Sequence, residues 1–169
     1  MNFAALWAGA MMFDAFLAAI GSHRALWEGL YRLARIPEWT TGELAGRRLN
    51  LLAIAEDWCG DAANTIPFLA RWAAEAPGVE LRIILRDHHP EVMDRYLTNG
   101  ARSIPIVVVL DETLKELGHW GPRPKALQEF VMANKARIPK AELYPQVRKW
   151  YARDKGETTL REVLALAVT

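Results

Sequence analysis

A single cysteine stands in 169 residues, and that scarcity removes whole classes of chemistry. With no thiol besides Cys59, the chain can form no internal disulfide, no dithiol redox cycle and no Cys-rich zinc or iron–sulfur site. Any thiol chemistry must draw its second sulfur from another molecule. Charge of one sign is equally lacking, since 21 Lys and Arg face 20 Asp and Glu for a net +1. That balance leaves no electrostatic footprint for nucleic acid or an anionic membrane, and neither is expected as a partner. There is also no Gly-rich phosphate loop, no nucleophile with a spaced His and acid, and no carboxylate pair of defined role. Asp87-His88-His89 comes nearest to a metal set, but adjacent histidines point apart and no third ligand follows, so no metal is expected. His23 and His119 read as surface or packing residues.

Long apolar runs are few. Residues 3–20 form one, broken only by Gly9 and Asp14. It is marginal for a membrane span, carries an acid near its middle and has no Lys or Arg before it, which argues against both a span and a signal peptide. Phe13, Phe16, Leu17 and Ile20 fall at i, i+3, i+4 and i+7, the stripe of a helix that packs against a domain. The absence of a disulfide framework agrees with a reducing cytoplasm.

What is present has the balance of one soluble domain, 51% hydrophobic and 24% charged. A second helical pattern runs over 23–34 and ends at Ile36-Pro37, and residues 37–48 are a polar connection with a helical turn. Residues 49–55 are nearly all apolar, the pattern of a strand buried on both faces. A helix is expected over 60–76, kinked near Pro67, followed by a strand over 79–86. Pro90 opens a short helix, residues 104–110 form a β-branched strand, and 113–119 return as its hairpin partner. Helices follow over 125–135, 141–154 and 158–167. The order strand, helix, strand, helix, strand, strand, helix predicts an α/β domain, a mixed sheet covered by helices. No linker divides the chain, so residues 1–169 read as one domain with a core at about 49–135 and helical extensions at 1–40 and 136–169.

Cys59 falls where the first buried strand passes into a helix, in Glu56-Asp57-Trp58-Cys59-Gly60-Asp61-Ala62. A lone cysteine is most often a small buried hydrophobe. At a helix N-terminus, however, unpaired N–H groups and the helix dipole favour the thiolate, which is the nucleophilic form. Glu56, Asp57 and Asp61 oppose that effect, because nearby carboxylates disfavour another negative charge. Spacing does not decide between the two.

Trp58-Cys59-Gly60-Asp61-Ala62 after a buried strand resembles the Trp-Cys-Gly-Pro-Cys centre of the thioredoxin family. Pro67, eight residues on, matches the proline of that family's active-site helix. Ser103-Ile104-Pro105 resembles its cis-proline loop, and Gly121 in Trp120-Gly121-Pro122 the glycine that helps form its substrate groove. The resemblance covers about residues 49–135 and implies a thioredoxin-like fold, with a four-stranded sheet in the order 2-1-3-4 and extra helices at both termini. The whole Glu-Asp-Trp-Cys-Gly-Asp-Ala string, with Leu97-Thr98-Asn99-Gly100 and Trp120-Gly121-Pro122-Arg123-Pro124, looks like a bacterial branch of monothiol thioredoxin-like proteins. In that frame Cys59 is the catalytic residue, and Trp58, Gly60, Ile104, Pro105, Trp120 and Gly121 bind substrate. Ile104 would offer its backbone to a substrate strand, and Trp58, Trp120 and Ile104 would form an apolar rim.

Two departures define the expected mechanism. Ala62 replaces the resolving cysteine, and Ala53 replaces the acid buried beneath the active site. Attack by Cys59 therefore ends in a mixed disulfide that an external thiol such as glutathione or bacillithiol must resolve, with no bound cofactor. The substrate is then a protein or low-molecular-weight disulfide. A thiol pKa below the free value of about 8.5 is expected on this reading. A second reading keeps the groove as a non-catalytic adaptor for a peptide or thiol. A third, a glutaredoxin-like cluster carrier, lacks the Cys-Gly-Phe-Ser centre and the Gly-Gly-acid signature. Seven tryptophans and the apolar N-terminal helix leave a homodimer open.

Overall fold

The structure is a computed structural model that describes residues 1–168. Its centre is β1 (Leu49–Ala55), buried at every position except Asn50. Such a strand needs cover on both faces, which is why its sequence shows no alternation. It pairs in parallel with β2 (Val79–Leu85) and antiparallel with β3 (Ile106–Leu110), and β3 pairs antiparallel with β4 (Glu116–Trp120). The sheet order is β2-β1-β3-β4, the mixed order that the resemblance implies.

The apolar N-terminal run is two helices rather than one, α1 (Phe3–Gly9) and α2 (Phe13–Ala19). Between them Met11 exchanges backbone hydrogen bonds with Ile83 at 2.9 and 2.8 Å, so the chain is extended there and covers part of the free edge of β2. An unpaired strand edge gains more from these bonds than a helix gains from two further residues. The helical stripe holds nonetheless, since Phe16 and Ile20 are buried and Phe13 and Leu17 pack against the core. Next come α3 (Arg24–Leu33), whose Trp27 is fully buried, and α4 (Trp39–Leu44).

The helix expected over 60–76 divides into α5 (Gly60–Ala63) and α6 (Ile66–Glu75). Asn64 Nδ2 and Thr65 Oγ1 donate to the carbonyls of Gly60 and Asp61 at 2.8 and 2.7 Å, taking up acceptors that the interruption frees. Pro67 is the second residue of α6, where its missing N–H is no loss. The break therefore precedes the proline instead of a kink forming at it. A short helix, α7 (Pro90–Met93), leads toward β3.

Three helices complete the chain, α8 (Lys125–Asn134), α9 (Lys140–Asp154) and α10 (Glu157–Val168). α6 packs on β2, whereas α10 packs on β3, β4 and α4 and touches α6. The helix covering the hairpin strands thus comes from the segment read as an extension. α8 packs instead on α9, and Leu127, Val131, Leu143, Val147 and Tyr151 form a small core of their own. The turn from α9 into α10 passes through Gly156 at φ +76°, where a Cβ would lie 2.3 Å from the Phe68 ring. Only glycine fits there, and the close approach fixes this hairpin to α6.

Candidate functional site

Cys59 is the N-cap of α5, with extended backbone at φ −82° and ψ 115°. Its sulfur accepts the Ala62 N–H at 3.4 Å, and its thiol donates to the Ile104 carbonyl at 3.5 Å. The side chain is 9% exposed. Ile104–Pro105 is a cis peptide, which sets the Ile104 carbonyl against the sulfur. Gly121, at φ +119°, passes so close to this loop that a Cβ would stand 2.2 Å from the Pro105 oxygen. The strand-end loop and the Gly121 segment thus meet beside the thiol, the arrangement that the resemblance implies.

The acids around Cys59 have different tasks. Glu56 Oε1 accepts the Asp87 N–H at 3.0 Å, joining the ends of β1 and β2. Asp57 Oδ2 accepts the N–H groups of Gly21 and Ser22 at 2.8 and 3.0 Å, and the Asp57 carbonyl accepts Trp27 Nε1 at 3.0 Å. For Asp57 burial acts upward but is outweighed by these N–H donors, which hold its carboxyl below the usual range. Both acids anchor backbone. Asp61 is the one whose charge acts on the thiol.

Asp61 is in turn heavily engaged. Arg123 grips it with Nε on Oδ1 and Nη2 on Oδ2, both at 3.0 Å, and the Tyr151 hydroxyl donates to Oδ1 at 2.7 Å. Arg123 Nη1 also donates to Gln128 Oε1 at 2.8 Å. Both charged side chains are largely buried, so this two-point pair is shielded from water. Burial first, and then the Asp61 charge, push the Cys59 thiol above its ordinary value, against the Ala62 N–H and the Arg123 charge, which act downward. The lowered pKa expected from a helix N-terminus does not emerge. α5 has four residues, and their dipole does not offset the loss of water around the sulfur.

The remaining sequence candidates divide. Trp58 is 46% exposed and lies under the Arg86 guanidinium, 4.9 Å from its ring centroid. Gly60 is exposed, with open space where a Cβ would stand. Trp120 and Ile104 are buried, so the expected apolar rim reduces to Trp58. Trp120 faces α10, where its Nε1 donates to Glu162 Oε2 at 2.6 Å. A polar handle bound this way belongs to the core. Among the described residues, no three or more His, Cys, Asp or Glu side chains come together to hold a metal ion.

Two open spaces border the sulfur. One, of about 480 Å³, lies between the Cys59 loop and α9 and is lined by Tyr144, Val147, Arg148 and Tyr151. The other, of about 400 Å³, lies toward Arg86, Arg102, Ser103 and Ile104. Arg123, Tyr144, Arg148 and Tyr151 escaped the sequence reading as site residues. Arg123 sits between two prolines beside Gly121, the one local signal that could have marked it. Tyr144, Arg148 and Tyr151 lie on α9, within the segment expected to be a helical extension outside the 49–135 core.

A β1–α–β2 unit joined to a β3–β4 hairpin, with a cysteine capping the helix after β1 and a cis-proline loop against it, defines a thioredoxin-like fold. A family model described as thioredoxin matches residues 10–140, and the chain belongs to that family. Two solved structures share the fold along almost the whole chain. A protein of unknown function from Pseudomonas aeruginosa is 24% identical, with a TM-score of 0.77 over 99% of this chain and 97% of that one. An HIV epitope scaffold is 23% identical, with a TM-score of 0.76 over 99% and 98%. A comparison with curated proteins finds no match. No described helix is long and apolar enough to cross a membrane.

Proposed function

We propose that the chain exchanges thiols and disulfides through Cys59 alone, in a monothiol branch marked by Trp58-Cys59-Gly60-Asp61-Ala62. The observation that carries this reading is the position of the sulfur. It caps α5, meets the cis-proline loop at Ile104, and borders two spaces large enough for a small ligand. In the forward step the Cys59 thiol loses its proton to solvent and the thiolate attacks one sulfur of a disulfide. The substrate S–S bond breaks, a Cys59 mixed disulfide forms, and the other half leaves as a thiolate. Ala62 offers no second thiol, so an external low-molecular-weight or protein thiol attacks the mixed disulfide and restores Cys59. A reducing cytoplasm suits such a cycle.

A second reading, a groove that holds a peptide or thiol ligand without turnover, draws support from the burial of the thiol and its raised pKa. One experiment separates them. Wild type and Cys59→Ser are exposed to a panel of mixed disulfides, adducts are identified by mass spectrometry, and turnover is followed with and without glutathione. Exchange requires a Cys59 adduct that glutathione releases catalytically. Adducts without turnover favour the binding module, and no adduct on Cys59 across the panel defeats the exchange reading.

A further inference from the structure

The chain as a whole is nearly neutral, but its charges are sorted around Cys59. The two spaces at the sulfur meet a third, of about 480 Å³, between α8–α9 and residues 98–103, and Arg123 borders all three. Their walls carry Arg86, Arg102, Arg123, Lys135, Lys140 and Arg148. Among the described residues the sole carboxylate lining them is Asp61, whose two oxygens are already taken by Arg123. A protein of net charge +1 thus lines the spaces at its single thiol with cationic side chains, of which Arg86, Arg102 and Arg123 are each paired with one carboxylate.

The space toward Arg86 and Arg102 is the sharpest part. Arg86 is held by Asp87 through Nε at 2.9 Å and by the Arg102 carbonyl through Nη1 at 3.1 Å, while its guanidinium lies over Trp58. Arg102 is held by Asp94 through Nε and Nη2 at 2.7 and 2.9 Å. Neither Asp87 nor Asp94 lines the cleft, so both acids fix the guanidiniums from outside it. Arg86 Nη2 and Arg102 Nη1 keep N–H groups with no partner among the described residues. Planar guanidiniums held this way are ready-made carboxylate receptors. Arg123 has all its nitrogens engaged and serves to hold Asp61.

We propose that the disulfide partner of Cys59 is a low-molecular-weight carboxylate-bearing disulfide, whose anionic groups are received by Arg86 and Arg102 while its sulfur reaches Cys59. This rests on the exchange reading and names its substrate class. The volume of about 400 Å³ beside the thiol matches a small ligand. The step is the exchange already described, with the anionic disulfide as oxidant and its departing half reduced to a thiolate.

The test uses the intact protein and three symmetrical disulfides, the dianionic 3,3′-dithiodipropionate, the neutral 2-hydroxyethyl disulfide and the dicationic cystamine. Each rate of adduct formation on Cys59 is divided by that disulfide's rate with 2-mercaptoethanol, which removes intrinsic reactivity. The expected order is dianion, neutral, dication, with the extremes separated by about 10-fold or more at low ionic strength and converging as salt is added. Arg86→Gln with Arg102→Gln narrows that separation, an unchanged separation overturns the assignment to these two arginines, and the Arg86→Gln and Arg102→Gln single variants supply the same comparison if the double variant does not fold. Equal normalised rates, or a preference for cystamine, overturn the proposal while leaving exchange intact. Failure of all three to modify Cys59 overturns exchange itself, and the substrate class with it.

Discussion

The Tyr151 hydroxyl donates to the Asp61 carboxylate at 2.7 Å, although ninety residues separate them in the chain. That bond fastens α9 to the helix that Cys59 caps, and with Arg123 it shields the Asp61 charge. Replacing Asp61 with Asn removes a negative charge near the sulfur and frees the Arg123 charge to favour the thiolate. The Cys59 pKa therefore falls in Asp61→Asn, and alkylation by iodoacetamide at neutral pH becomes faster. A pH profile of alkylation checks this, and an unchanged or higher pKa contradicts it.

Tyr151→Phe leaves Asp61 charged but takes away one of its donors in a site largely closed to water. A hydrogen bond to a charged group contributes about 2 kcal/mol. The variant is expected to lose stability of that order in urea unfolding, and hydrogen exchange should rise first in α8 and α9, whose small core the bond anchors to the rest. Loss spread evenly over the sheet runs against this assignment.

Stability should also depend on alkaline pH. Burial holds the Cys59 thiol and the Tyr151 phenol above their ordinary values, the Asp61 charge adding to both. Each raised group contributes stability that is fully present below its unfolded pKa, about 8.5 for the thiol and about 10 for the phenol. Above those points the unfolded chain releases protons that the folded chain retains, so stability falls until the folded group also ionises. Urea midpoints measured upward from about pH 7 should decline beyond about pH 8.5, with a shallower early decline in Cys59→Ala. Parallel curves for the two proteins remove Cys59 as the cause.

Gly60 and Gly121, the two glycines of the candidate site, should respond oppositely to alanine. At Gly121 the backbone is left-handed and a methyl would collide with the Pro105 oxygen, so Gly121→Ala is expected to cost more than about 3 kcal/mol or prevent folding. At Gly60 the methyl meets open space, and Gly60→Ala stays within about 0.5 kcal/mol of wild type. Thermal and urea unfolding of the pair decide it.

The two tryptophans divide in the same manner. Trp120→Ala opens a hole between β4 and α10 and leaves Glu162 with the Lys125 N–H as its remaining donor, for a loss of about 3–5 kcal/mol. Trp58→Ala removes an exposed ring under Arg86, and its effect falls on the rate of Cys59 adduct formation rather than on the urea midpoint. Comparable destabilisation by both would place Trp58 in the core.

Much of this fold is written locally. The nearly continuous apolar run of β1 and the β-branched run of β3 mark buried strands because burial on both faces demands such residues, and the set Cys59, Pro67, Pro105 and Gly121 carries the resemblance to thioredoxins that implies this sheet. The single cysteine likewise settles from composition alone that any thiol chemistry here must draw its second sulfur from elsewhere. Three matters were decided only in space. The first is where the N-terminal run breaks, since Met11 leaves the helical pattern to pair with Ile83 on a strand seventy-two residues away. The second is the protonation of Cys59, because desolvation depends on what packs over the sulfur and no string of neighbours records that. The third is charge. A count of 21 against 20 averages over the surface, whereas folding gathers Arg86, Arg102, Arg123 and Arg148 from distant segments to one thiol, with Asp87 and Asp94 holding two of them from outside the cleft.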